Sequence, residues 1–186
     1  MNHKWFFLLL VFFTGLVPCE RAVAGGFAMS FGIGALSPTN SDNSTNLACA
    51  ALFAFDVGTT EDLSFSIGSE VWAIFSSYQG GDLETVPILA CVRTTLFPSS
   101  PVRLYGTAGA GVCIAKYTVT EWEMFLFIPM ENSKEETSSA FAVAFGGGVE
   151  FMFGRNLLSL DYRYLSVPGD ARLGGHLITL SYGFCF

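Results

Sequence analysis

Three residues near the C-terminal end have side chains that could do hydrolytic chemistry. Ser166 and Asp170 lie in the segment before His176, which is the one histidine after residue 24. A nucleophile, a base and an orienting acid are what acyl transfer from a lipid ester would require. Ser166, Asp170 and His176 are suitable types in one neighbourhood, with no further spacing signal. The sequence carries no phosphate loop and no cofactor motif. Past residue 24 the cysteines are Cys49, Cys91, Cys113 and Cys185. They lack the C-x-x-C spacing of a zinc or redox site. An oxidising compartment would permit disulfides, but burial as small hydrophobes is the reading preferred for at least two of them. No metal or cofactor is expected.

Seven charged residues make a second group: Asp56, Glu70, Arg93, Arg103, Glu150, Asp161 and Arg163. Each sits in a segment whose large apolar residues recur at every second position, and each falls on the opposite face. Such alternation is the signature of strands with two unlike faces. Eight such segments follow residue 25. They include "GFAMSFGIGAL", "LACAALFAFDV", "LSFSIGSEVWAIF", "VPILACVRTTLF" and "VRLYGTAGAGVCIAK". "AFAVAFGGGVEFMF", "LLSLDYRYL" and the closing "HLITLSYGFCF" complete the set. Their connections alternate in length, from "GTTED", "PSSP" and "GRN" at one end to longer polar stretches at the other. The longest runs over residues 117–138. Short turns at one end and long loops at the other belong to membrane barrels.

The polar face decides which side is inside. A soluble ligand-binding barrel would turn its apolar face inward and a densely charged face to water. Here the polar face is Gly, Ala, Ser and Thr with four acids and three arginines, and essentially no Lys. Arginine on a lipid-facing strand near mid-bilayer costs roughly 2–4 kcal/mol. Arg93 and Arg163 are therefore expected to point inward and to fork onto carboxylates. Glu70 with Arg93, and Glu150 with Arg103 or Arg163, are the expected pairs. Phe55, Phe65, Phe97, Phe153 and Phe186 gather near the short-turn ends, as interfacial aromatics do. Glycines at 106, 109, 111 and 146–148 are expected to make room for Tyr105 and the arginines.

Composition agrees. Charged residues are 13% of the chain, against roughly 25% in an ordinary soluble domain. Hydrophobic residues are 51%, with 19 Phe, yet after residue 24 no apolar run is long enough for a spanning helix. "MNHK", "WFFLLLVFF" and "AVA" read as a secretory signal peptide over residues 1–24, leaving 25–186 as one barrel domain. Cleavage there lowers the basic residues from 9 to 7 and the acids from 16 to 15, and moves net charge from −7 to −8. Nucleic acid needs a basic face and is not an expected partner.

The fold class expected is all-β, an eight-stranded antiparallel up-and-down transmembrane barrel. On "VPILACVRTTLF", "LYGTAGAGVCIAKY", "LSLDYRYL" and "HLITLSYGFCF", the chain resembles small outer-membrane β-barrels of the OmpA/OmpX type, the porin-like outer-membrane family. The resemblance implies insertion into the outer membrane of a Gram-negative-type cell. It implies contact with membrane lipid and with the barrel assembly machinery. That machinery would read Tyr182, Phe184 and Phe186 of the last strand. It does not fix a function, since such barrels serve as tethers, adhesins, immune-evasion surfaces or narrow pores.

The favoured expectation is a non-enzymatic surface protein with a filled lumen and acidic external loops. Its contact patch would be Trp122, Phe125, Phe127, Ile128 and Met130, beside Glu121, Glu123, Glu131, Glu135 and Glu136. The bland alternative is that strands five and six run on through 117–138, exposing an edge that could pair with a partner strand. A lipid-modifying enzyme is the first functional alternative, but the His-x-Ser pattern of barrel deacylases is replaced here by Arg163, Tyr164, Leu165 and Ser166. A narrow pore is the second, opposed by the arginines and Tyr105 in the lumen.

Overall fold

The structure is a computed structural model that describes residues 26–38, 46–78, 81–125, 128–169 and 173–186. The expected signal peptide, residues 1–24, lies outside the described residues. Eight strands follow in order: β1 (Phe27–Pro38), β2 (Asn46–Thr59), β3 (Leu63–Tyr78), β4 (Gly81–Leu96), β5 (Val102–Phe125), β6 (Ile128–Phe153), β7 (Asn156–Ser166) and β8 (Gly175–Cys185). Each pairs antiparallel with the next, and β8 returns to β1 to close the barrel. The all-β, up-and-down expectation is met.

Closure is made by backbone groups as well as by register. Phe27 and Phe186 exchange hydrogen bonds, N to O distances 3.1 and 2.7 Å. Their rings lie 5.7 Å apart. A closed barrel leaves no strand edge to be desolvated, which is what a hydrocarbon environment demands.

The period-two pattern sorts the side chains as anticipated. Ile33, Phe55, Ile67, Val92, Phe145, Leu160, Ile178 and Leu180 are more than half exposed on the outer wall. Ser30, Ser66, Glu70, Thr107, Glu150, Asp161, Thr179 and Ser181 are buried within. No helix among the described residues is long and apolar enough to cross a membrane. The apolar surface is instead a continuous belt on strands. Along β8, His176 to Phe186 spans about 25 Å of barrel axis at about 3.3 Å per residue and a tilt of about 40°. That is the height of a hydrocarbon band.

The loop reading of residues 117–138 gives way to the alternative that strands five and six run on: residues 117–125 and 128–138 are strand. β5 and β6 remain paired through them, from Tyr117↔Glu136 to Phe125↔Ile128. The polar residues there suggested a connection, but Tyr117, Val119, Thr120 and Trp122 have strong strand preference. Each strand also supplies the other's hydrogen bonds. β4 pairs with β5 only as far as Tyr117, and β7 pairs with β6 only as far as Val143. The hairpin therefore outruns its neighbours at the long-loop end.

At the other end the turns are tight. Gly154 takes a positive φ of 68° between β6 and β7, a geometry glycine adopts without steric cost. Phe97 does so at 54° without that freedom. Its backbone N–H donates to the Asp62 carbonyl at 2.8 Å and its own carbonyl accepts from Ser100 at 2.9 Å. Those bonds hold the residue in place at the head of the β4–β5 turn.

Candidate functional site

The lumen is built in two layers. All seven anticipated charged residues point into it. Glu70, Glu150, Asp161 and Arg163 are buried, while Asp56, Arg93 and Arg103 are half-buried. The pairing differs from expectation. Glu70 does not meet Arg93, because the register sets Arg93 opposite Ser66 and Glu70 opposite Leu89. Instead Arg163 Nη2 donates to Glu70 Oε1 at 3.2 Å. Arg93 Nη2 pairs with Glu150 Oε1 at 2.5 Å. Arg103 is the register partner of Glu150, but its Nε donates to the Ser100 carbonyl at 3.2 Å. Asp56 accepts from Ser66 Oγ at 2.6 Å.

Tyr105 stands between the two central arginines. Arg93 lies 3.7 Å and Arg163 5.5 Å from its ring centroid. A guanidinium over a desolvated ring is held by the ring quadrupole as well as by its carboxylate. The glycines help as anticipated. A Cβ on Gly148 would clash with the Leu160 backbone carbonyl and come within 2.8 Å of the Tyr105 hydroxyl. Glycine there leaves room for the neighbouring backbone and for the inward tyrosine.

Above the ionic layer, toward the long-loop end, the lumen turns apolar. Trp72, Ile74, Leu83, Leu89, Leu165 and Leu177 pack there into one cluster with almost no exposure. This plug was missed from the sequence. Its signal lies in the register of the faces. Glu70, Trp72 and Ile74 share the inner face of β3, so that face changes from polar to apolar partway along the strand. Eight strands leave room for side chains and little more, and the inner wall is packed as a protein core.

Cys49, Cys91, Cys113 and Cys185 form no disulfide, and Cys91 and Cys113 are buried. They behave as the small hydrophobes anticipated. His176 lies on the outer wall. Its Nδ1 is 2.6 Å from the Tyr162 hydroxyl, and its ring packs at 5.0 Å from Tyr164. In a catalytic set that nitrogen would be held by an acid. Asp170 lies outside the described residues. Phe145 joins the cluster at 5.3 Å from Tyr164, making an aromatic group at the long-loop edge of the belt. At the opposite edge Phe55, Phe65, Phe97 and Phe153 are exposed and Phe186 half-exposed. Tyr182 and Phe184 of the anticipated assembly signal lie on β8, their rings 5.2 Å apart.

The anticipated contact patch falls on the projecting hairpin. Register sets Trp122 opposite Glu131, Glu123 opposite Met130 and Phe125 opposite Ile128. Phe127 lies outside the described residues. The acids and the apolar residues are thus interleaved along one ribbon. From Ile128 to Ala142, β6 has β5 on one side and no described strand on the other.

No family model matches the sequence, and no curated protein matches it. Solved structures do. Neisserial surface protein A superposes with a TM-score of 0.58 at 14% identity, over 89% of this chain and 98% of that one. Ail, the attachment invasion locus protein of Yersinia pestis, gives 0.53 at 16% identity, over 88% of this chain and all of its own. A major outer membrane protein from Thermus thermophilus gives 0.53 at 12% identity, with 88% and 100% covered. At these identities what is shared is the fold: this chain is an eight-stranded closed β-barrel of the kind found in small bacterial outer-membrane proteins.

Proposed function

We propose that this protein is a non-enzymatic outer-membrane barrel that presents the β5–β6 hairpin for contact at the cell surface. The observation that carries the reading is the combination of an apolar outer belt with a hairpin that outruns every other described strand. The belt matches a hydrocarbon layer in height, and the paired termini of the barrel leave no open edge within it. Export would use residues 1–24 as a cleaved signal peptide. Insertion would use the assembly machinery and the aromatic last strand.

The hairpin sets the chemistry of the contact. Glu121, Glu123, Glu131, Glu135 and Glu136 outnumber Lys134 over its projecting part. A basic protein surface, or a divalent cation between two acidic surfaces, suits it. A polyanion does not. Ail of Yersinia pestis has been crystallised with the heparin analogue sucrose octasulfate, and the hairpin here would repel such a ligand.

A lipid-modifying activity is disfavoured by the Tyr162 hydrogen bond at His176 Nδ1. A pore is disfavoured by the plug. Cell fractionation with heat-shifted gel mobility tests the membrane reading. Recovery of the mature chain in the soluble periplasm without detergent would overturn it. Replacing residues 118–134 by a short turn tests the surface reading. The barrel should still fold, while attachment to host or neighbouring cells should fall. Unchanged attachment would remove the hairpin from the proposal. Loss of a lipid-modifying activity in His176→Ala would replace it with an enzyme.

A further inference from the structure

Above the belt, β6 carries an open backbone edge. β7 is its partner as far as Val143↔Ser166, and there the pairing stops. Val167 packs into the plug cluster, Pro168 follows, and Gly169 takes a positive φ of 93°. Proline cannot donate to a ladder, so β7 goes no further. Over Glu135–Ala142, β6 has β5 on one side and no described strand on the other. The residues from Glu135 to Ser139 are exposed, and Phe141 is 58% exposed. Alternate residues of an antiparallel strand turn their N–H and C=O groups to the same neighbour. Half of this stretch therefore presents its backbone groups to the side that β7 has left. Natural edges are usually blunted by proline, lysine or a bulge. This stretch reads "EETSSAFA", with no proline and no lysine, and its register with β5 is unbroken. Pro129 and Lys134 lie nearer the hairpin tip.

We propose that the Glu135–Ala142 edge is a strand-addition site for an extended segment of a partner protein that carries basic residues at alternate positions. The inference rests on the surface-contact reading above and names the kind of partner. The added strand continues the line of β7 beyond Ser166 and runs antiparallel to β6, as β7 does. Backbone hydrogen bonds supply affinity whatever the sequence, and side chains supply the choice. Opposite charges on neighbouring strands attract and like charges repel. Glu135 and Glu136 are consecutive, so each face of the ribbon carries one acid. Lys116 lies in register with Thr137, on the β5 side and away from the open edge. A basic segment is therefore favoured and an acidic one excluded. Phe141, at the membrane end of the stretch, gives the added strand an apolar neighbour. The same charges disfavour a second copy. Two barrels in one membrane, related by a two-fold axis along its normal, would set β6 parallel to β6. In register that aligns Glu135 with Glu135 and Glu136 with Glu136.

The test uses the folded barrel in lipid nanodiscs. The probe is a peptide of alternating lysine and threonine, about eight residues long to match the edge. Binding is read by fluorescence polarisation and by amide hydrogen exchange on β6. The peptide should slow exchange at alternate amides between Glu135 and Ala142. Methylating every backbone nitrogen of the peptide should weaken binding about tenfold or more, because the added ladder loses its donors. Glu135→Lys should weaken it several-fold, and a peptide of alternating glutamate and threonine should not bind. No slowing at these amides would overturn the proposal. Equal binding of the methylated or the acidic peptide would do the same. So would slowing without peptide that grows with barrel concentration, which would assign the edge to a second copy. The hairpin replacement at 118–134 keeps Glu135–Ala142, so the attachment result and the peptide result are read separately.

Discussion

Arg163 on β7 meets Glu70 on β3 across the full width of the barrel, Nη2 to Oε1 at 3.2 Å. The two strands are four apart in a ring of eight, so no backbone ladder joins them. This contact ties opposite walls together. Breaking a buried pair by removing one partner costs about 3–5 kcal/mol, because the other charge is stranded. Glu70→Gln should lose about 3 kcal/mol, at the low end because Asp161 stays near the guanidinium. Urea unfolding of the barrel in lipid vesicles measures it. An unshifted midpoint would show that Asp161 alone suffices.

The second central pair behaves differently when both partners go. Arg93 and Glu150 are in direct ionic contact in the lumen. Glu150→Leu leaves Arg93 buried without its carboxylate. Arg93→Met with Glu150→Leu leaves no charge at all. Since apolar replacement of a whole buried pair is often neutral, the double variant should unfold at higher urea than Glu150→Leu alone. The reverse order would mean that Arg93 draws its stability from Tyr105.

Tyr105 is the shared neighbour of both arginines, so its ring can be separated from its hydroxyl. Tyr105→Leu should cost about 2 kcal/mol beyond its packing loss, the size of a desolvated cation–π contact. Tyr105→Phe keeps the ring and should cost under about 1 kcal/mol, the net worth of an ordinary hydrogen bond. Equal losses in the same unfolding measurement would assign the effect to the hydroxyl.

The plug predicts an electrically silent protein. With Trp72, Leu89, Leu165 and Leu177 closing the lumen above the ionic layer, purified barrel in planar bilayers should show no steady single-channel steps. Reproducible conductance of one unit size would contradict the packing.

Phe186 supplies two backbone hydrogen bonds and a stacked ring to Phe27. Removing it should slow assembly far more than removing a hairpin residue such as Ser138. The fraction of heat-shifted, folded protein after expression is the measure. Equal assembly of the two variants would take the last residue out of the closing step.

Much of this was legible in the chain itself. The period-two alternation in stretches such as "LSLDYRYL" places Asp161 and Arg163 on one face and Leu160 and Tyr162 on the other, whatever the strand's neighbours. That local rule sorted all seven charged residues into the lumen, and the alternating turn lengths ordered the strands. At the hairpin the sequence left two readings open, because a polar strand standing above a membrane has the composition of a loop. Only its pairing partner makes it a strand.

What the sequence by itself determined is the barrel and its two surfaces, since side-chain direction in a strand depends only on position along it. What only the tertiary structure decided is who meets whom inside. Register slides whole strands past each other, and closure brings together strands that are remote in the chain. Glu70 was expected to meet Arg93 on the adjacent strand. The register carries Arg93 past it to Ser66, and the curvature of a closed sheet delivers Arg163 from the opposite wall. No local pattern encodes that distance, because it exists only once β8 has paired with β1.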